Sequence, residues 1–481
     1  MNLSDWWINQ IKNTFSMGHL PAIQDYLRTP SISATGEGIR ETAEKTAQAI
    51  QQLGAEDVQI VPTEGWPIVY GELISDHEKP TVIFYSMYDV QPVEAEKWQV
   101  PPFGGNIVED FEGMGRALVS RGVINTKGPT MAFFQTLKTV VDAGKELPVN
   151  IIFAIEGEEE LASVHFPSFV HDFKEQLAKA DLVYFPIFSE TMDGRILISL
   201  GVRGIIYFKI WVQGGPWGGP QSRNIHSSLS SWVDSPTWKL IHLISKMRAP
   251  DGKILVPGIY DNVRPVSEED RKMIKESAPK LDINIVKKSI DVHTLLTSEA
   301  TDKELSAEEL ALRFLAPCLT VDGIISGNSE EKGTKTVLPY KAFANMDIRL
   351  VPDMEVNDIR NKITRFIRET CPEAQIDMEA GYMWAKMSPS HPYVKGQLDL
   401  LRETGKPLIV SPIAGGSAPF YIFQEKFDLP ILWGGLGHGT RAHSPNEYAF
   451  LESKTGAGGI MEFEMSVARL LSKIGEIGKL R

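Results

Sequence analysis

Two near-continuous apolar runs set the strongest limit on what this chain can fold into. "TVIFYS" (81–86) and "VNIIFAI" (149–155) are rich in β-branched and aromatic residues, and strands of that composition must be covered on both faces. Between them, "GPTMAFFQTLKTVVDAGK" (128–145) has helical period. The order strand, helix, strand predicts a crossover unit of an α/β sheet. "ETAEKTAQAIQQLGA" (41–55) supplies an earlier helix that ends near a glycine. In sheets of this kind ligands sit in the loops leaving the carboxyl ends of the strands.

The texture changes near residue 204. "GIIYFKIWVQGG" and "KAFANMDIRLVP" alternate like half-buried strands, and helices are expected at about 229–247 and 355–370, which suits a smaller antiparallel sheet with helices on one face. After residue 384 the earlier pattern returns with "PYVKGQLDLLRET", "PILWGGLG" and a final helix expected from 453. The expected fold class is α/β: a central mixed, mostly parallel sheet sandwiched by helices, with a smaller inserted α+β domain. Residues 1–204 and 384–481 would form the first part and residues 205–383 the insertion, since 481 residues exceed one core.

Composition narrows the function classes. There are 62 acidic and 49 basic residues, a net charge of −13, which argues against nucleic-acid or anionic-membrane partners. The start, "MNLSDWWINQIKNTF", has no basic segment followed by an apolar run, and no stretch of about 18 apolar residues occurs. The expectation is a cytoplasmic protein. Cys318 and Cys371 are too few for a disulfide framework or a thiolate metal cluster.

Four polar loops stand out: "YSMYDVQP" (85–92), "SRGVINTKG" (120–128), "EGEEELAS" (156–163) and "GTRAHSPNE" (439–447). Their order and spacing resemble the M20 family of dinuclear zinc peptidases and deacylases, in the dipeptidase branch that includes carnosinases. "LGVRG" (200–204), "NIHSS" (224–228), "YDNVRP" (260–265), "GTKTVLP" (333–339), "IRLVPD" (348–353) and "GGSAP" (415–419) fall where that family has similar segments.

The resemblance implies two zinc ions about 3.5 Å apart, held by a histidine, a bridging aspartate, a glutamate, a strand-end carboxylate and a last histidine. Carried onto this sequence, those positions are Met87, Asn125, Glu160, Ile187 and His443. Met87 and Ile187 occupy both private ligand positions of one metal, and a thioether and a hydrocarbon offer a hard dication almost nothing. The other metal would keep Glu160, His443 and the amide oxygen of Asn125. The resemblance therefore implies either no cofactor or one Zn²⁺, with a two-zinc site not expected. Glu159 stands in place of the family's general base. Asp89 stands where a carboxylate would orient the missing histidine. His226 resembles the histidine that reaches across from a second subunit to an oxyanion. Arg349 resembles the arginine that grips the substrate carboxylate, and Gly415, Gly416 and Ser417 resemble the turn that lies against it. A homodimer through the inserted domain and a small-molecule substrate are implied in the same way.

Each residue also has a plainer role open to it. "EGEEE" can be an acidic surface loop, Asp89 a turn former, His226 and Arg349 structural residues, Met87 a core filler, and His443 a brace for the final helix. His165, Glu190 and His438 lie near the loops in sequence without an assigned role. Three readings stay open: an enzyme with a rebuilt site that uses Glu159 on a small amino-acid-derived carboxylate, a catalytically silent homologue that binds a small ligand or partner, and a conventional dinuclear zinc dipeptidase whose ligands are displaced from these positions.

Overall fold

The computed structural model describes residues 2–298, 301–327 and 335–480. Gly333 and Thr334 of "GTKTVLP" lie outside the described residues. Six strands form the central sheet, in the order Glu56–Val61, Ile68–Leu73, Asn150–Glu156, Thr81–Met87, Leu182–Phe188 and Ile431–Gly435. The first two pairings are antiparallel and the last three parallel, so the sheet is mixed and mostly parallel, as its sequence predicts. Helices cover both faces. Phe84 stacks on Phe133 of helix Lys127–Asp142 with centroids 4.0 Å apart. Its neighbour Tyr85 points the other way, against Phe166 and Phe423 at 5.0 and 5.4 Å. That alternation explains the unbroken apolar runs: every residue of the central strands meets a helix on one side or the other. Each such aromatic stabilises the fold by about 1.5–3 kcal/mol relative to exposure.

A second sheet is antiparallel, ordered Cys318–Ser326, Lys341–Leu350, Gly201–Gln213, Ala374–Tyr382. Helix Val356–Thr370 buries Ile359, Ile363 and Ile367, spaced four apart, as one face. This sheet has its own hydrophobic cluster, whose buried residues fall within 206–374, whereas those of the larger cluster fall within 7–202 and 385–474. The 13-residue strand Gly201–Gln213 joins the two. Its start pairs with Ala385–Lys386 and Ala414–Ser417 and its remainder with the small sheet, so no break falls at residue 204.

Two helix expectations shift. The one placed at 229–247 begins at Pro236, because Ser235 caps it by accepting from Trp238 N. The last begins at Ile460 rather than 453, since Tyr448–Ser453 is a strand paired with Gly115–Val119. Among the described residues no helix is long and apolar enough to cross a membrane.

Candidate active site

Three neighbouring strands of the central sheet end at one place. Met87 lies opposite Glu156 in the parallel register. On its other side that strand pairs with Leu182–Phe188, in register from Val82–Leu182 to Phe84–Tyr184, and Ile187 lies at the end of this neighbour. The loops that follow these strand ends carry Asp89, Gln91, Glu159 and Glu160, and the loops bearing Asn125 and His443 close over them.

The two outer loops are tied by Glu447, a buried carboxylate that sequence reading left without a role. It accepts from Arg121 NH1 at 2.8 Å and from the backbone N–H groups of Gly122, Ile124 and Asn125 at 3.1, 2.9 and 3.3 Å. Asp89, fully buried, does the same for the third loop and accepts from the N–H groups of Glu159 and Glu160 at 3.2 and 3.0 Å. Both of its oxygens thus hold backbone, which makes Asp89 a positioning residue. Burial, with the charge of Glu160 second, pushes its carboxyl up to about 7.

Glu160 is fully engaged. Gln91 Nε2 donates to Oε2 at 2.9 Å, Asn125 Nδ2 donates to Oε1 at 2.7 Å, and His443 Nε2 is 3.1 Å from the carboxylate. Asn125 therefore turns its NH2 toward the carboxylate, since the reverse rotamer would set amide oxygen against carboxylate oxygen. The carboxylate beside His443 holds that imidazole above its usual range. Glu159 differs from its neighbour. Partly buried in the 3₁₀ turn Glu159–Leu161, its carboxylate makes no hydrogen bond or ion pair among the described residues. Burial raises it well above the ordinary range, with Glu160, Glu156 and Asp89 adding to the effect.

The donor set can now be tested against a pair of bridged zinc ions. Of the side chains at the implied ligand positions, Met87 is buried in the core and Ile187 packs against the same cluster, and neither is a donor for a hard dication. The bridging position presents an amide hydrogen. The residues present do not fit a bridged pair. A single ion would be confined to Glu160, His443 and Asn125, and only after the Asn125 amide rotated.

The residues to which the resemblance gives the substrate carboxylate are gathered on the long strand's other neighbours. Arg349 NH1 donates to Ser417 Oγ at 2.8 Å and its Nε to Asp347 at 3.0 Å. Arg203, unassigned from sequence although it sits in "LGVRG", donates from Nε to the Gly415 carbonyl at 2.9 Å. Burial lowers the Arg203 guanidinium, and Arg349 nearby lowers it further, so two cations flank one turn. Gly415 is needed sterically, because a Cβ there would meet Phe314 at 2.8 Å, whereas a Cβ at Gly416 would meet nothing. Burial raises the phenols of Tyr207 and Tyr382, with Arg349 lowering both and Glu159 raising both by smaller amounts.

Other candidates stand elsewhere. His226 is exposed, 2.8 Å from Ser228 Oγ and 3.2 Å from Thr336 Oγ1, and no contact joins it to Glu159 or Arg349 among the described residues. Glu190 is a buried anchor for Lys406 and Gly458 N. His438 binds the Glu190 carbonyl at 2.7 Å, and His165 pairs with Glu158 at 2.7 Å.

The profile of peptidase family M20/M25/M40 matches residues 83–457. The Beta-Ala-His dipeptidase of Homo sapiens is 30% identical over 341 residues, 67% of this chain and 62% of that protein. The Cys-Gly metallodipeptidase of Schizosaccharomyces pombe is 28% identical over 429 residues, 85% of this chain and 83% of that one. The chain spans under two thirds of the length of the Beta-Ala-His dipeptidases it matches. Among solved structures, an M20 family metallo-carboxypeptidase from Sulfolobus solfataricus superposes with a TM-score of 0.83 at 29% identity, covering 95% of this chain and 98% of that chain. Human carnosine dipeptidase 1 shares the fold, with a TM-score of 0.81 at 24% identity and 99% of both chains covered. The strand-end cleft, its four loops and the sequence matched across them make this chain a member of peptidase family M20.

Proposed function

We propose that this M20 protein is an enzyme with a rebuilt active site. It acts on a small, amino-acid-derived carboxylate, using Glu159 to transfer a proton with one metal ion or none. The observation that carries the reading is the contrast between adjacent carboxylates. Glu160 is consumed by Gln91, Asn125 and His443, while the Glu159 carboxylate has no partner among the described residues and is raised by burial. A desolvated carboxyl next to like charges holds its proton toward neutral pH, where it exchanges that proton readily with a substrate. On this reading Arg349, with Arg203 behind it, orients the substrate carboxylate against the Gly415–Ser417 turn. Amide cleavage and other proton-transfer reactions at an amine or amide both suit such a site. His226 would reach it only from a second copy of the chain, in a homodimer.

A broad panel of dipeptides and N-acyl amino acids tests the reading, with Glu159→Gln beside the parent. The expected result is turnover that falls at least a hundredfold in the variant while a cooperative thermal unfolding transition is retained. Parental turnover by E159Q would refute the role of Glu159. A compound that raises the melting temperature without being consumed would instead favour the silent, ligand-binding homologue, which the closed ring of hydrogen bonds around Glu160 also suits.

A further inference from the structure

A cavity of about 850 Å³ opens beside the Gly415–Ser417 turn. One wall comes from helix Ala307–Arg313 of the inserted segment and the facing wall from strand Leu408–Ser411. Of the four loops only Thr440 and Arg441, at the start of 439–447, reach its lining, and Glu159 does not. Its lining is mostly apolar, and it includes Leu197, Ile290 and Phe314, which are 43%, 56% and 40% exposed. Large hydrophobic side chains left open to solvent around one concave space mark a place for an apolar ligand group. The volume lies within the range of about 300–1,000 Å³ usual for small-molecule sites.

The charged groups on the lining are mostly already paired. Arg441 makes a two-armed bond to Glu112 at 2.9 and 2.8 Å, and Arg195 lies 3.1 Å from Asp193. Lys288 stands only at the exposed edge. A ligand's charge is therefore better met outside the cavity than within it. The cavity shares Gly415 and Phe314 with the arginine grip: the Gly415 carbonyl accepts from Arg203, and the Phe314 ring lies 5.4 Å from the Arg203 guanidinium. On its other side Thr440 and Arg441 line it, two or three residues before His443.

We propose that the cavity holds a large apolar group of the ligand whose carboxylate sits at Arg349 and Ser417. The ligand class is then a carboxylate joined to a long aliphatic or aromatic body, larger than the side chain of an ordinary dipeptide. The proposal rests on the arginine grip described above and adds to it the site for the remainder of the molecule.

Calorimetric titration of the full chain with butanoate, hexanoate, octanoate and decanoate tests it. Affinity is expected to rise roughly two- to fourfold for each added methylene. Ala311→Trp, which fills the cavity, and Ile290→Asp, which makes its exposed wall polar, should each weaken decanoate at least tenfold and leave butanoate unchanged. Ile290 is surface-exposed, so I290D carries the test if A311W fails to fold. Affinity independent of chain length, or decanoate bound by both variants as by the parent, would overturn the assignment. Arg349→Gln should weaken the whole series; a chain-length effect that persists while R349Q binds like the parent would refute the grip and leave the cavity site standing.

Discussion

Asn125 Nδ2 donates to Glu160 Oε1 at 2.7 Å, which pairs by a hydrogen bond two positions that the family resemblance assigns to metal ligands. Asn125→Asp reverses the relationship. Without metal, the new carboxylate would face Glu160 at hydrogen-bond distance and lower the melting temperature through like-charge repulsion. With Zn²⁺, the set Asp, Glu and His becomes one that a dication binds well. Zinc titration followed by differential scanning calorimetry should therefore raise the melting temperature of N125D by more than that of the parent. Equal shifts would contradict the reading of this pair.

Arg121 and Glu447 form a buried ion pair that also fixes the Asn125 loop. Removing one member leaves the other charged and unpaired in the interior. Glu447→Ala should cost about 3 kcal/mol or more, measured by chemical denaturation, whereas an exposed pair such as Lys138–Asp142 should change stability by under about 0.5 kcal/mol when either member is replaced.

Glu156 links the site to pH. It is buried and accepts from Tyr85 and Ser163 at 2.6 and 2.9 Å. Burial, with smaller contributions from nearby carboxylates, pushes its carboxyl from 4.5 up to about 8. A folded acid with a raised value binds its proton more tightly than the unfolded chain does, so the contribution of Glu156 to stability is fully present below about 4.5 and is lost as pH rises through about 8. Glu156→Gln removes this titration. The variant's melting temperature should fall less than the parent's between pH 5 and 8, and parallel profiles would contradict it.

Arg349 meets Ser417 and Asp347 with separate arms of its fork. Arg349→Lys keeps the charge but not the second arm, so affinity for short carboxylates should drop roughly tenfold or more. Binding assays with acetate and butanoate would show it, and unchanged affinity would remove Arg349 from the grip.

Much of the framework was legible because burial leaves a direct trace in sequence. A strand covered on both faces, such as Thr81–Met87, has nowhere to place a polar side chain, and Val356–Thr370 buries every fourth residue. Boundaries were less legible where glycine and polar residues fit two elements. "FLESKTGAGG" suits a helix start, yet the pairing of Tyr448–Ser453 with a strand more than 300 residues earlier takes its first part. The site was legible as a set of loops but not as a set of bonds. Gln91 reaches Glu160 and Arg203 reaches Gly415 across 69 and 212 residues, and no local pattern encodes such a meeting. The sequence marks Asp89 as an orienting carboxylate; only the folded loops reveal that it holds the N–H groups of Glu159 and Glu160.

With Met87, Asn125 and Ile187 at the positions that the resemblance gives to metal ligands, a bridged metal pair would lack its donors. Elemental analysis of the purified, unchelated protein should find fewer than one zinc per chain, with activity unchanged or only partly reduced by a chelator; two zinc ions per chain would show that the pair forms despite these residues.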